Sequence, residues 1–128
     1  MTKVLLVGLG GFVGSSARYV VGVASARLWP AAGLQLGTLI VNVAGCLLIG
    51  ILAAYADARA MVSPELRALV LIGMLGGFTT FSTFAFETLE LGRAGGSGVA
   101  AMNVMLHVIG CLAAVWLGSA IGRALAGA

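Results

Sequence analysis

The stretch Gly73–Phe84, reading GMLGGFTTFSTF, gathers the residue types in this chain best able to do chemistry. Gly73, Gly76 and Gly77 precede the hydroxyls of Thr79, Thr80, Ser82 and Thr83 and the rings of Phe81 and Phe84. Glycine and β-branched residues both weaken an α-helix, so the spacing predicts an interruption here. Backbone carbonyls freed by such an interruption are natural cation ligands. On the helix that resumes, Thr80, Thr83, Phe84 and Glu87 fall on one stripe by their three- and four-residue spacing. Phe81 and Phe84 are also three apart. Phenylalanines at that spacing ordinarily pack, yet their ring edges carry partial positive charge and can meet an anion. The surrounding hydroxyls favour the second reading.

Other polar residues stand isolated in apolar company. Thr38 and Asn42 lie one turn apart on one face, and Gly45 continues it. An asparagine so placed either bonds a neighbouring helix or lines a pore with its amide. Arg18 follows Gly10 and Gly14 on a common face, and is either a site residue or a side chain snorkelling to an interface. Asn103, His107 and Cys111 recur at successive turns beside a small-residue seam of Gly110, Ala114 and Gly118. His107 is the one histidine of the chain and is expected to hydrogen-bond a neighbour rather than to relay protons.

These residues sit in a sequence of 128 residues that is 61% hydrophobic and 9% charged, a balance far from that of a soluble domain. A bilayer takes about 20 apolar residues per helix, and four such spans fit at about residues 4–26, 35–56, 67–91 and 99–123. They consume nearly the whole chain, so the expectation is one four-helix transmembrane domain over residues 1–128, an all-α integral membrane protein. Non-helical backbone at membrane depth must then be covered by protein or water.

Several other functions are excluded on composition or spacing. Seven scattered basic residues against four acids form no patch suited to nucleic acid. Gly8, Gly10 and Gly14 imitate a dinucleotide-binding turn, but no acidic residue follows at the distance needed to hold a ribose. Gly10 and Gly14 suit close helix packing in lipid better. Cys46 and Cys111 lie mid-span and read as buried free thiols. No activated nucleophile, metal cluster or phosphate cradle is visible, so enzymatic chemistry has no carrier. The first apolar run is too long for a cleaved secretory signal and is interrupted by Arg18, so it reads as the first membrane helix.

Charge gives a weak orientation signal. Lys3, Arg59, Arg67 and Arg123 fall on one side, against Arg27 and Arg93 on the other, with Arg18 in the membrane near that second side. So slight a positive-inside bias suits insertion in both orientations. An antiparallel homodimer follows as one hypothesis, and an ordinary bundle of single orientation as the other.

Taken together and in this order, GGFVGSSARY, GTLIVNVAG and GGFTTFSTFAFE resemble the Fluc family of fluoride channels, also called CrcB proteins, over the whole chain. The resemblance implies a dual-topology antiparallel homodimer with two pores, passing fluoride out of the cytoplasm across the inner membrane of a prokaryote. It implies that Phe81 and Phe84 meet the dehydrating anion, with Asn42 beside them. Thr38, Thr80, Ser82 and Thr83 match a polar track, Glu87 an acidic residue next to it, and Arg18 a vestibule arginine. The backbone carbonyls of Gly76 and Thr79 match a central sodium site shared by both subunits. Asn103, His107 and Cys111 depart from the pattern, standing where tyrosine and serines are common. A strongly hydrated anion needs several modest donors to replace its water, without one strong charge that would trap it. The rival reading is a small dual-topology exporter coupling protons to organic cations. It requires a membrane carboxylate, for which Glu87 is the one candidate.

Overall fold

The computed structural model describes residues 1–30, 35–59 and 62–127. Among these, all regular structure is helical. Helix α1 spans Thr2–Leu28 and α2 spans Leu36–Arg59. The third membrane-length element, Pro64–Arg93, is composite. It begins with α3, Pro64–Arg67, capped by the Ser63 hydroxyl accepting from Leu66 N and started by Pro64, whose missing N–H costs nothing there. It continues as a π-helical run, Ala68–Leu75, and the short α4, Gly76–Phe78. Thr79 (φ −87°, ψ 159°) and Thr80 (φ −154°, ψ 116°) are extended, and α5 then runs Phe81–Arg93. Helix α6 spans Ser97–Ala126 and ends on Gly127, whose φ of 75° suits a residue without Cβ.

All four membrane-length elements are apolar enough to cross a bilayer. They extend past the expected spans by a few residues at most ends, because helix continues through Arg27, Arg59, Arg93 and Arg123 in the last turns. Basic side chains complement the negative end of a helix. Large apolar side chains such as Phe12, Ile72, Ile109, Leu112 and Trp116 are exposed, the inverse of a soluble protein.

Two glycine seams set the packing. A Cβ at Gly10 or Gly14 of α1 would strike the backbone of Leu69, Met74 or Phe78, and one at Gly73 or Gly77 would come within 2.7 Å of Val7 O or Gly11 O. Thus α1 lies backbone to backbone against the first half of the third span, as the spacing of Gly10 and Gly14 implied. The second seam joins α2 to α6. There Gly50 meets Val115 and Ser119, while Gly118 and Gly122 meet Leu47 and Ile51. Ala114 is buried in the same seam, whereas Gly110 stands at its edge against Val43. The polar residues lie where these two helix pairs and α5 converge.

Candidate functional site

The extended pair Thr79–Thr80 forms the centre of the site, and three side chains hold it. Asn42 grips the Thr80 peptide from both sides: its Nδ2 donates to Thr80 O at 3.0 Å, and Thr80 N donates to its Oδ1 at 2.8 Å. This is the bonding a neighbouring strand would supply to an extended residue. Asn42 is buried, and one amide hydrogen remains beyond the clamp. Arg18 Nε donates to Gly77 O at 3.1 Å, so its guanidinium is tied to the end of α4 while the side chain also lines a cavity. Thr79 folds back, its N and Oγ1 both donating to Leu75 O at 3.1 Å. Gly45 is what lets α2 approach, since a Cβ there would collide with the Thr79 methyl.

These bonds redirect the amides that a continuous helix would use. Thr80 N, the usual partner of Gly76 O, goes to Asn42, and Thr83 N, the usual partner of Thr79 O, goes to the Thr80 hydroxyl at 3.3 Å. The carbonyls of Gly76 and Thr79 are thereby released from the ladder. Oxygen donors of this kind suit a hard cation.

Thr80 serves as the N-cap of α5 and anchors a hydroxyl cluster. Its Oγ1 lies 3.0 Å from Thr83 Oγ1 and 3.2 Å from Ser82 Oγ. One turn further, Thr38 donates from Oγ1 to Glu87 Oε1 at 2.6 Å, joining α2 to α5. Thr38, Thr80, Thr83 and Glu87 all line a cavity of about 660 Å³, together with Arg18. Ser82 and Phe81 lie on the outer side of α5 and are exposed.

The two rings are neighbours, with centroids 5.3 Å apart and planes at 60°. Their surroundings differ. Phe81 is 78% exposed, whereas Phe84 is 8% exposed and packs against His107 with ring centroids 4.4 Å apart and planes at 35°.

A set of buried contacts behind Phe84 was not foreseen from the sequence. Asn103 Nδ2 donates to Thr88 Oγ1 at 2.9 Å, and Thr88 donates to Phe84 O at 2.7 Å. His107 Nδ1 bonds Asn103 O, on its own helix, at 3.0 Å. The hydrogen bond expected of His107 is thus made within its own helix, beside a ring contact with Phe84. Thr88 was the missed residue, and its position four after Phe84 was the available signal, because a threonine hydroxyl readily bonds the carbonyl one turn back. Cys111 and Cys46 are free thiols that share a smaller cavity with Asn42, Thr79 and Phe81.

A family described as "CrcB-like protein, Camphor Resistance (CrcB)" matches residues 5–119. The chain belongs to this family. Among its relatives is a "Fluoride-specific ion channel FluC" of Coxiella burnetii, 49% identical over 126 residues, covering 96% of this chain and 99% of the relative. Proteins of the same name from Paracoccus denitrificans and Methylobacillus flagellatus are 48% and 42% identical, covering 94% and 92% of both chains respectively. Membership in the CrcB family, with four membrane-length apolar helices, makes the chain a multi-pass membrane protein. The rival organic-cation exporter finds no support among these CrcB relatives, and Glu87, its one candidate carboxylate, is engaged by Thr38.

Proposed function

We propose that the chain is a fluoride-selective channel that lets fluoride leave the cytoplasm passively, across the inner membrane of a prokaryote. The observation that carries this reading is the juxtaposition of Phe81 and Phe84 with the hydroxyls of Thr80, Ser82 and Thr83 on one end of α5. Together they offer positive ring edges and several O–H donors at short intervals, with no ammonium or guanidinium among them. The names of the CrcB relatives point to the same ion.

In this reading, fluoride enters the cavity lined by Arg18, Thr38, Thr80 and Thr83, sheds water against the hydroxyls and passes the ring edges. Asn42 acts first on the backbone, fixing Thr80 so that its hydroxyl and the start of α5 are correctly aimed, and offers its spare amide hydrogen to the ion. Glu87, held by Thr38, orients the Thr38 end of the track.

The working unit in this proposal is an antiparallel dual-topology homodimer with two pores, favoured by the near balance of basic residues across the spans. The interruption at Thr79–Thr80 is its centre. Carbonyls of Gly76 and Thr79 from both copies would hold a sodium ion, a role that fits their release from the helical ladder. The exposure of Phe81 on a single copy also fits a second chain beside it.

The test is ion efflux from proteoliposomes read with fluoride- and chloride-selective electrodes. Voltage-driven fluoride efflux without chloride efflux is expected. Retention of fluoride, or proton-coupled uptake of an organic cation, overturns the proposal.

A further inference from the structure

Helix α6 holds Phe84 in two ways, and Asn103 takes part in both. On the backbone side, Asn103 Nδ2 donates to Thr88 Oγ1 at 2.9 Å and Thr88 donates to Phe84 O at 2.7 Å. A chain of two hydrogen bonds thus runs from α6 to the peptide of the ring-bearing residue. Its direction is fixed by chemistry. A carbonyl only accepts, so the single Thr88 hydrogen goes to Phe84 O and Asn103 must present its amide hydrogens to Thr88. On the ring side, the His107 ring lies 4.4 Å from that of Phe84, centroid to centroid, and His107 Nδ1 bonds Asn103 O. One turn of α6 therefore braces both the peptide and the ring.

As a packing residue alone, Asn103 is a costly choice. It is 1% exposed, and its Oδ1 is buried without a hydrogen-bond partner among the described residues. A leucine has nearly the same shape and would leave no orphan acceptor of its own. What leucine lacks is the donor that fixes the Thr88 hydroxyl. A threonine that bonds the carbonyl one turn back bends the helix it sits on, so the aim of Thr88 sets the local course of α5 at Phe84. Donation from Asn103 also polarises the Thr88 hydroxyl and strengthens the next bond in the chain.

Resting on the fluoride reading of Phe84, we propose that Asn103 is a positioning residue for the anion path: acting through the Thr88 hydroxyl, it sets the angle at which the Phe84 ring edge meets fluoride. Angle is what such a contact depends on. An aromatic ring attracts an anion at its edge and repels it at its face, so a ring that tilts toward the ion loses the attraction. A group of this kind works only when packing and supporting hydrogen bonds lock its orientation. Phe84, 8% exposed, has that support, while Phe81 is 78% exposed. The brace thus distinguishes two rings that stand only three residues apart.

Thr88→Val and Asn103→Leu, two nearly isosteric changes, test this in proteoliposomes. Each is expected to slow fluoride efflux by about fivefold, the factor that one buried hydrogen bond of ordinary strength supplies. The double variant is expected to be slower by about fivefold as well, rather than about 25-fold, because both changes break one chain. Thr88→Ser keeps the hydroxyl and is expected to retain wild-type efflux. In a Phe84→Ile background, where the ring is gone, adding Thr88→Val is expected to change nothing further, whereas a residue that merely stabilises the bundle would slow efflux again. Ring 13C NMR of Phe-labelled protein in nanodiscs gives a second readout, with the Phe84 signal identified by its loss in Phe84→Ile. That signal is expected to move in Thr88→Val and in Asn103→Leu and to stay in place in Thr88→Ser. Multiplied losses in the double variant, a further loss in the Phe84→Ile background, wild-type efflux in both single variants, or an unmoved Phe84 signal overturns the proposal. The complete absence of fluoride efflux from the wild type would instead overturn the channel reading, while the Phe84 signal still reports on the brace.

Discussion

Replacing Asn42 with alanine tests whether this side chain works through the backbone. The substitution removes both bonds to the Thr80 peptide, at 3.0 and 2.8 Å, and leaves an extended N–H and C=O without their partners. An unmade buried hydrogen bond costs about 1–3 kcal/mol. Thr80 lines the open cavity, so water can satisfy part of the loss, and the low end of that range applies to each bond. The sum is about 2 kcal/mol, which lowers the population of the aligned Thr79–Thr80 geometry by about 30-fold. Fluoride efflux from proteoliposomes is expected to fall by a similar factor. Hydrogen exchange at the Thr80 amide should accelerate in parallel, because exchange reports local opening. Flux within about threefold of wild type would refute the reasoning, since RT ln 3 is far below the energy assigned to the clamp. Reduced flux with unchanged exchange at Thr80 would also refute it, leaving Asn42 only as an amide donor to the ion.

Other expectations follow from the same geometry. Phe81→Ile and Phe84→Ile keep bulk but remove the ring quadrupole, and each is expected to slow fluoride by about tenfold in electrode assays with the protein still folded; unchanged flux in both removes the ring-edge mechanism. Gly77→Ala places a Cβ 2.7 Å from Gly11 O and is expected to lower stability in detergent by about 1–3 kcal/mol, read by thermal denaturation. Gly76→Ala meets nothing within 4 Å and is expected to melt within about 1 kcal/mol of wild type, so equal losses in the two variants would contradict the seam. Thr38→Val withdraws the donor from Glu87 Oε1 and is expected to cost about 1–3 kcal/mol, with reduced fluoride efflux; an unaltered protein by both measures would return the pair to a bystander role.

Span positions were legible because hydropathy and helix length are local properties. The Gly10–Gly14 seam was legible from spacing alone, and Gly73 and Gly77 supply its other half. Of the stripe Thr80, Thr83, Phe84 and Glu87, three residues line one cavity, with Thr80 as the extended N-cap of α5, while Phe84 is buried against His107. What escaped the sequence is what depends on distant partners. Asn42 reads as a polar residue on a helix face, and only the approach of α2 to Thr80, 38 positions away, turns it into a backbone clamp. Phe81 and Phe84 look equivalent at their spacing, but α6 covers one with His107 and leaves the other exposed. The π-helical run Ala68–Leu75 has no local signature in an apolar stretch, and helical periodicity does not reveal it.

The two extended threonines also divide the electrical polarity of the third span. Helical turns from Pro64 to Phe78 end there with their carbonyls, and α5 begins there with its amides. Aligned peptide dipoles give such ends roughly half a negative and half a positive charge. The seat of the Arg18 guanidinium on Gly77 O is the response of a cation to the first of these ends. A single chain interruption therefore brings opposite fractional charges within a few residues of each other in a low-dielectric setting, using peptide groups in place of titratable side chains. Such a field is fixed by the fold, and no change of protonation can switch its sign.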